Sequence, residues 1–373
     1  MDEADAREKI ESIVPDEANV DKITFDSERS IVIIEAEKTH LLNGRDSDIQ
    51  ETIKRETYWI PKIKRTPIIR SPIIENIRSV LYEHGKERRD FLNETGERVY
   101  NGWQKNKKQD EWVRLSFLGG SRQVGRSCLL LQTPESKIML DCGIDVAGEG
   151  EGAYPYLQAP EFNIRDIDAV IVTHCHVDHT GLVPYLYKFG YDGPVYCTAP
   201  TRDIMALLQL DTIKIHQNEG KKELYSQEHV KQMVEHTIPL DYRQVTDLTP
   251  DVRLTLYNAG HTIGSAMAHL NIGNGLHNLL YTGDIKYKDT RLLSKAHTRF
   301  RRVETMVLES TYGGKDCKSN DEDQDEKLSA IVKDTINRDG KVLMPVLGSG
   351  RGQEIIMMIV NLMQNSEIPA VPI

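Results

Sequence analysis

The stretch "IVTHCHVDHTG", residues 171 to 181, holds His174, His176, Asp178 and His179, so 3 of the 12 histidines in a 373-residue chain fall within six positions. Imidazole nitrogen and carboxylate oxygen are the borderline donors that suit zinc, which proteins hold with three or four such groups. The pattern reads as a metal site. Cys175 lies between two of the histidines, but on an extended segment it points away from both and is not expected among the ligands. The five cysteines (Cys128, Cys142, Cys175, Cys197, Cys317) are odd in number and form no C-x-x-C pair, which reads as free thiols in a reducing compartment.

These residues need a scaffold, and from residue 111 onward the chain supplies short apolar runs parted by glycine turns. "KIMLDCG", "AVIVTHCH", "GPVYCTA", "VRLTLYNAGH" and "NLLYTGD" each read as a strand ending in polar residues, and "NIGNGLHN" carries the Asn-Gly of a hairpin. Strand ends are where a sheet exposes chemistry without disturbing its core. Taken in order, Asp141, the H-x-H-x-D-H cluster, His261 in "NAGHTIGS" and Asp284 in "LLYTGDIKY" resemble the motifs of the metallo-β-lactamase fold, an αββα sandwich. By that resemblance His174, His176 and His261 hold one zinc, Asp178 and His179 help hold a second, and the Asp284 carboxylate bridges the two. Asp178 and Asp284 are thereby candidate catalytic residues as well as ligands. The implied chemistry is hydrolysis by a metal-bound hydroxide, of phosphodiesters in particular. Asp141 reads either as a residue that orients a ligand by a hydrogen bond from behind or as an ordinary turn aspartate before Cys142 and Gly143.

The substrate class follows from segments further on. "RRVETMVLESTYGGKD" and "GKVLMPVLGSGRGQEIIMMIV" resemble parts of the β-CASP branch of that superfamily, whose members process nucleic acids. Glu309 matches the branch's acidic motif and is a candidate catalytic residue; Arg351 matches the arginine of its glycine turn. In the branch, that glutamate is partnered by a downstream histidine, and another completes the second metal site, whereas this chain has no histidine after His297. A tightly held first zinc and an incomplete second site are therefore expected. "SEIPAVPI" reads as part of an early β-CASP strand, which would leave a sheet edge and Ile355, Ile356, Ile359 and Val360 uncovered. The chain reads as the N-terminal part of a longer protein.

The first seventy residues read as helix, strand, strand, helix, strand, an order that resembles the prokaryotic type of KH domain, whose GxxG loop clamps a nucleic-acid backbone. Here the loop is Gly44-Arg45-Asp46-Ser47, without the second glycine. The net charge of −10 is unevenly spread: residues 1–50 carry 14 acidic and 6 basic side chains, net −8, and residues 51–108 carry 8 and 14, net +6. Lys62, Lys64 and Arg65 open this basic stretch, which is either a polyanion-facing surface or a solvated face. With Gly44, Arg45 and Arg351 they are the candidate RNA contacts.

The fold class expected is α/β (α+β): a KH-like domain at 1–70, a helical linker at 71–110, a metallo-β-lactamase domain at 111–318 and the start of a β-CASP domain at 319–373. From about residue 5 to the end the chain resembles the archaeal cleavage-and-polyadenylation-specificity-factor-type ribonucleases. That resemblance implies two zinc ions in the complete family site, single-stranded RNA as substrate, and RNA 3′-end formation and transcription termination, with its machinery, as the setting. The acidic N-terminus and the lack of a long apolar run read as a cytoplasmic protein without a membrane partner. Oligomeric state stays open. A second reading is an RNA-binding protein with a purely structural zinc site; a small-molecule hydrolase of the same fold gives "ESTYGG" and "GSGRGQE" no purpose.

Overall fold

The computed structural model describes residues 1–43, 48–104, 111–314 and 321–373. The chain divides into two compact units, Met1–Arg98 with Ser226–His236, and Val99–Tyr225 with Thr237–Ile373.

In the first unit α1 (Glu3–Ile13) starts where the Asp2 side chain accepts a hydrogen bond from the Asp5 N–H, and it is followed by β1 (Val20–Asp26), β2 (Ile31–Ala36), α2 (Ile49–Thr57) and β3 (Ile60–Arg65). This is the order expected from the sequence. The strands form one sheet, β1-β2-β3, antiparallel between β1 and β2 and parallel between β2 and β3. Ile10, Val32, Ile34 and Ile53 seal the helices onto it. Then come α3 (Pro72–Glu83), with Ser71 as cap and proline in its first turn, and α4 (Gly85–Gln104). Both helices fall in the stretch expected as a helical linker. Residues 71–98, expected as a linker, fall inside the first unit. So does the later helix Gln227–Glu235, which packs on α3.

The second unit is built on two sheets. One has the order β4 (Arg114–Gly119), β5 (Cys128–Gln132), β6 (Lys137–Leu140), β7 (Ala169–Ile171), β8 (Val195–Cys197), β9 (Thr237–Pro239), antiparallel up to β6 and parallel from there on. The parallel crossovers carry α5 (Val177–Thr180), α6 (Val183–Lys188), α7 (Ala199–Asn218) and α8, the helix Gln227–Glu235. The other sheet has the order β10 (Val245–Thr249), β11 (Val252–Asn258), β12 (Ala266–Ile272), β13 (His277–Tyr281), β14 (Thr305–Val307). Alternate residues of both sheets, including Leu129, Leu131, Ile138, Leu140, Leu254, Leu256 and Leu270, meet in one core. That is the sandwich the period-2 pattern requires.

Strand direction then decides where chemistry can gather. Because β11 and β13 are each antiparallel to β12, and β14 is parallel to β13, all three end at the same edge of their sheet. β6 and β7 run parallel in the other sheet. Asp141 follows β6, His174 follows β7, His261 follows β11, Asp284 follows β13 and Glu309 follows β14.

The final segment differs from its sequence reading. It forms α9 (Asp321–Asn337) and α10 (Arg351–Gln364), and among the described residues 341–350 and 365–373 form no strand. A strand exists only when its backbone groups find a neighbouring ladder, and none lies beside these residues. Nor are the four apolar residues uniformly uncovered. Ile359 is buried with Val332 and Leu362 between α9 and α10, Ile355 packs against that cluster, Val360 is half-buried, and only Ile356 is exposed.

Candidate metal centre

Asp141 organises the site. It is fully buried, and its backbone is left-handed at φ +57°, a conformation that aspartate tolerates better than most residues. One carboxylate oxygen, Oδ1, accepts the Thr173 N–H at 2.8 Å. The other, Oδ2, accepts from Thr173 Oγ1 at 2.8 Å, His179 Nδ1 at 2.7 Å and Tyr281 Oη at 2.9 Å. Since the Thr173 hydroxyl donates to Asp141, it accepts from His174 Nδ1, 3.1 Å away. The proton is thereby held on Nδ1 of His174 and the Nε2 lone pair is left facing the cluster. Asp141 thus orients two of the candidate ligands, His179 directly and His174 through Thr173.

Close backbone contacts fix the loops. A Cβ on Gly143 would lie 1.6 Å from the Asp178 carbonyl oxygen, so only glycine lets the β6 loop touch α5. There the N–H groups of Ser127, Cys142 and Ile144 donate to the carbonyls of Asp178, His179 and Val177. The His261 turn is pinned by Ser265, whose Oγ accepts the N–H groups of His261 and Thr262.

His174 Nε2 and His261 Nε2 each stand 3.2 Å from His176 Nδ1. Together with an Asp284 oxygen these atoms lie within 4.8 Å of one another. Nitrogens on one tetrahedral zinc, each 2.0–2.1 Å from it, would stand roughly 3.3 Å apart, so the residues fit such an ion. Burial, aided by the neighbouring histidines, pushes the His174 imidazole well down, and burial lowers His176 and His261 as well. All three are held neutral, as ligation demands.

Asp284 faces both ways. Its Oδ2 is 3.5 Å from His261 Nε2 and 3.9 Å from His174 Nε2, while its Oδ1 is 3.4 Å from His179 Nε2. Asp178 Oδ2 stands 3.8 Å from the same His179 nitrogen, and Ser127 Oγ 3.4 Å. Burial alone would lower His179, but the Asp141 and Asp284 carboxylates outweigh it and hold the imidazole well above its ordinary value. Burial would raise Asp284, yet the hydrogen bond and charge of His179 hold it below the usual carboxylate range.

Glu309 lines the same cleft of about 530 Å³ as Asp178, His179 and Asp284, a size usual for binding sites. Its N–H donates to Thr282 Oγ1 and its Oε2 accepts the Thr311 N–H. Cys175 is buried, which pushes its thiol up, and it faces Ser349 Oγ at 3.8 Å rather than the histidine nitrogens. Arg351 does not line the cleft; it pairs with Glu354 of its own helix at 2.9 Å. Lys62, Lys64 and Arg65 stand on the edge strand β3 of the first unit, and Gly44 and Arg45 lie outside the described residues. Thr173, Tyr281, Ser127 and Ser265 escaped sequence reasoning. Thr173, next to a ligand, and Tyr281, in the strand that leads to Asp284, carried a positional signal.

A metallo-beta-lactamase superfamily domain model matches residues 130–310. The transcription termination factor FttA of Methanothermobacter thermautotrophicus is 50% identical over 375 residues, covering 100% of this chain and 58% of its own length. FttA of Methanococcus maripaludis is 48% identical, over 95% of this chain and 56% of its own length. FttA of Thermococcus kodakarensis is 45% identical, over 95% and 55%. The chain spans a little over half the length of the curated relatives it matches.

Proposed function

This chain belongs to the metallo-β-lactamase superfamily, in the archaeal family of the FttA termination factors, and from that premise we propose that it is a zinc-dependent ribonuclease, or the N-terminal portion of one. Its substrate in this reading is single-stranded RNA, its setting RNA 3′-end formation and transcription termination. The observation that carries the reading is Asp284, with one oxygen toward the imidazoles of His174 and His261 and the other toward His179.

His174, His176 and His261 would hold a first zinc, and Asp178, His179 and Asp284 would contribute to a second. Bound there, zinc supplies Lewis-acid stabilisation of a phosphoryl oxygen and a nucleophile from water at neutral pH. The protein's own part is positional. Asp141 keeps the His174 proton on Nδ1 through Thr173 and holds His179 directly, while Glu309 lines the cleft with Asp178, His179 and Asp284. In this reading the first unit is a KH-like RNA-binding module using β3 and its flanks, and α9 and α10 belong to a β-CASP domain.

A second reading, an RNA-binding protein whose zinc site is only structural, is favoured by the second position. Among the described residues, the metal-ligating atoms that lie within 4.8 Å of one another are those of His174, His176, His261 and Asp284, at the first position. Incubation of labelled single-stranded RNA with the zinc-loaded chain separates the two readings. Cleavage that disappears in His174→Ala supports the nuclease; binding without cleavage supports the second reading.

A further inference from the structure

Beside the metal cleft lies a separate recess of about 380 Å³, lined by Arg126, Glu151, Tyr154, Tyr156, Leu182 and Tyr185 among others. The loop from Gly120 to Ser127, between β4 and β5, forms the partition. Gln123, Gly125 and Ser127 line the metal cleft, whereas Arg126 lines the recess. Ser127 donates its N–H to Asp178 O at 2.9 Å, so the recess wall is one residue removed from the candidate ligands. Two neighbouring residues span at most about 7 Å, the scale of a single nucleotide.

The partition has an unusual backbone. Gly120, Arg122, Gly125 and Arg126 all take positive φ, at +77°, +57°, +97° and +44°. Two of these are arginines, in a conformation their side chains disfavour, and such strain persists where the surroundings impose it, commonly at binding sites. The Arg126 guanidinium is held by Nη1 on Tyr154 O at 2.9 Å and Nη2 on Gln123 Oε1 at 3.2 Å, while its Nε is buried and finds no acceptor in the protein. Arg122 is the one arginine or lysine on the metal-cleft wall, and it has no ion-pair partner among the described residues.

Around the recess, aromatic rings are presented rather than packed away. Tyr156 is 60% exposed although its N–H is fixed on Leu118 O at 2.8 Å. Tyr185 pairs with Phe189 at 4.5 Å between ring centres, and Lys188 Nζ lies 6.0 Å over the Phe189 ring. Rings standing beside cations are the usual composition of a platform on which unpaired bases stack.

We propose that this recess receives the nucleobase of the nucleotide next to the cleaved bond, stacked on Tyr156 and Tyr185, with Arg122 on the intervening phosphate. The substrate rests on the ribonuclease reading above. The test measures binding by the zinc-loaded chain of a hydrolysis-resistant, phosphorothioate-linked single-stranded RNA, against an abasic oligomer of equal length. Tyr156→Ala is expected to bind the RNA roughly tenfold more weakly, with abasic binding and melting temperature unchanged, and Tyr156→Trp to restore RNA affinity. If wild type prefers RNA to the abasic oligomer and Tyr156→Ala binds it equally well, the recess is not the base site and the ribonuclease reading stands. Equal loss toward both oligomers also overturns the base site. A wild-type chain that binds neither oligomer overturns both the site and the RNA reading beneath it.

Discussion

The two halves of the candidate metal centre are built differently. At the first position three buried imidazoles are held neutral, with nitrogens already at the spacing one tetrahedral ion would impose. At the second, His179 is drawn toward its charged form by the carboxylates of Asp141 and Asp284. The first half brings neutral imidazole nitrogens within hydrogen-bond distance of one another, and the second gathers carboxylates around His179. A metal ligand must shed its proton, which His179 is set to keep, so the first position is expected to hold an ion more tightly than the second.

The sharpest way to break this contrast is to remove the residue common to both halves. Asp141→Ala strands the Thr173 hydroxyl, the Tyr281 hydroxyl and the His179 Nδ1–H in a buried pocket, an expected loss of about 3–5 kcal/mol. Denaturant unfolding would show it, and a loss below about 1 kcal/mol would mean that the carboxylate is not the organiser described above. Next in size is His174→Ala, expected to abolish both zinc retention and any RNA cleavage, as metal analysis after dialysis would report. The contrast itself is then tested by stoichiometry: dialysed wild type should retain about one zinc per chain, and a value near two would show the halves to be equivalent.

The smallest effect concerns the pairing of β13 and β14, the strands before Asp284 and Glu309. Glu304 accepts the N–H of Asn278 at 2.7 Å and its Nδ2 at 2.9 Å and pairs with Arg302, and these bonds bring its carboxyl down to about 2. Because the folded value lies below the ordinary one, the stabilisation is present above about pH 4.5 and is lost as pH falls through about 2. Glu304→Gln should therefore differ from wild type at pH 6 and converge with it in strong acid. Unfolding curves that stay equally far apart across that range would remove the ionised carboxylate from the account.

How much of this was legible in the sequence depended on distance along the chain. His174, His176, Asp178 and His179 announce themselves because a strand end and one helical turn bring near neighbours together. His261 and Asp284 needed a resemblance, since nothing local links them to residue 174. Tyr281 was out of reach, because its bond to Asp141 spans 140 positions. The α/β elements of the first seventy residues followed from periodicity and turn residues, but the placement of α8 with α3 did not, since amphipathicity shows that a helix has a partner and not which one. The strand expected near the end misled for a related reason: apolar, β-branched residues favour extension only where a ladder receives them.

The path of α8 has a consequence for anyone dissecting the protein. Both of its ends are covalently joined to the second unit, yet it packs with the first, where Arg88 donates to the Glu235 carbonyl and the Phe91 ring stacks on His236. A shortened chain beginning at residue 111 would keep the whole candidate metal centre and lose those helical partners. The α8 residues Val230, Met233 and Val234, now buried, would be left with less cover. Excising the N-terminal module is therefore not a clean cut between domains, and the shortened chain would be expected to be a sticky one.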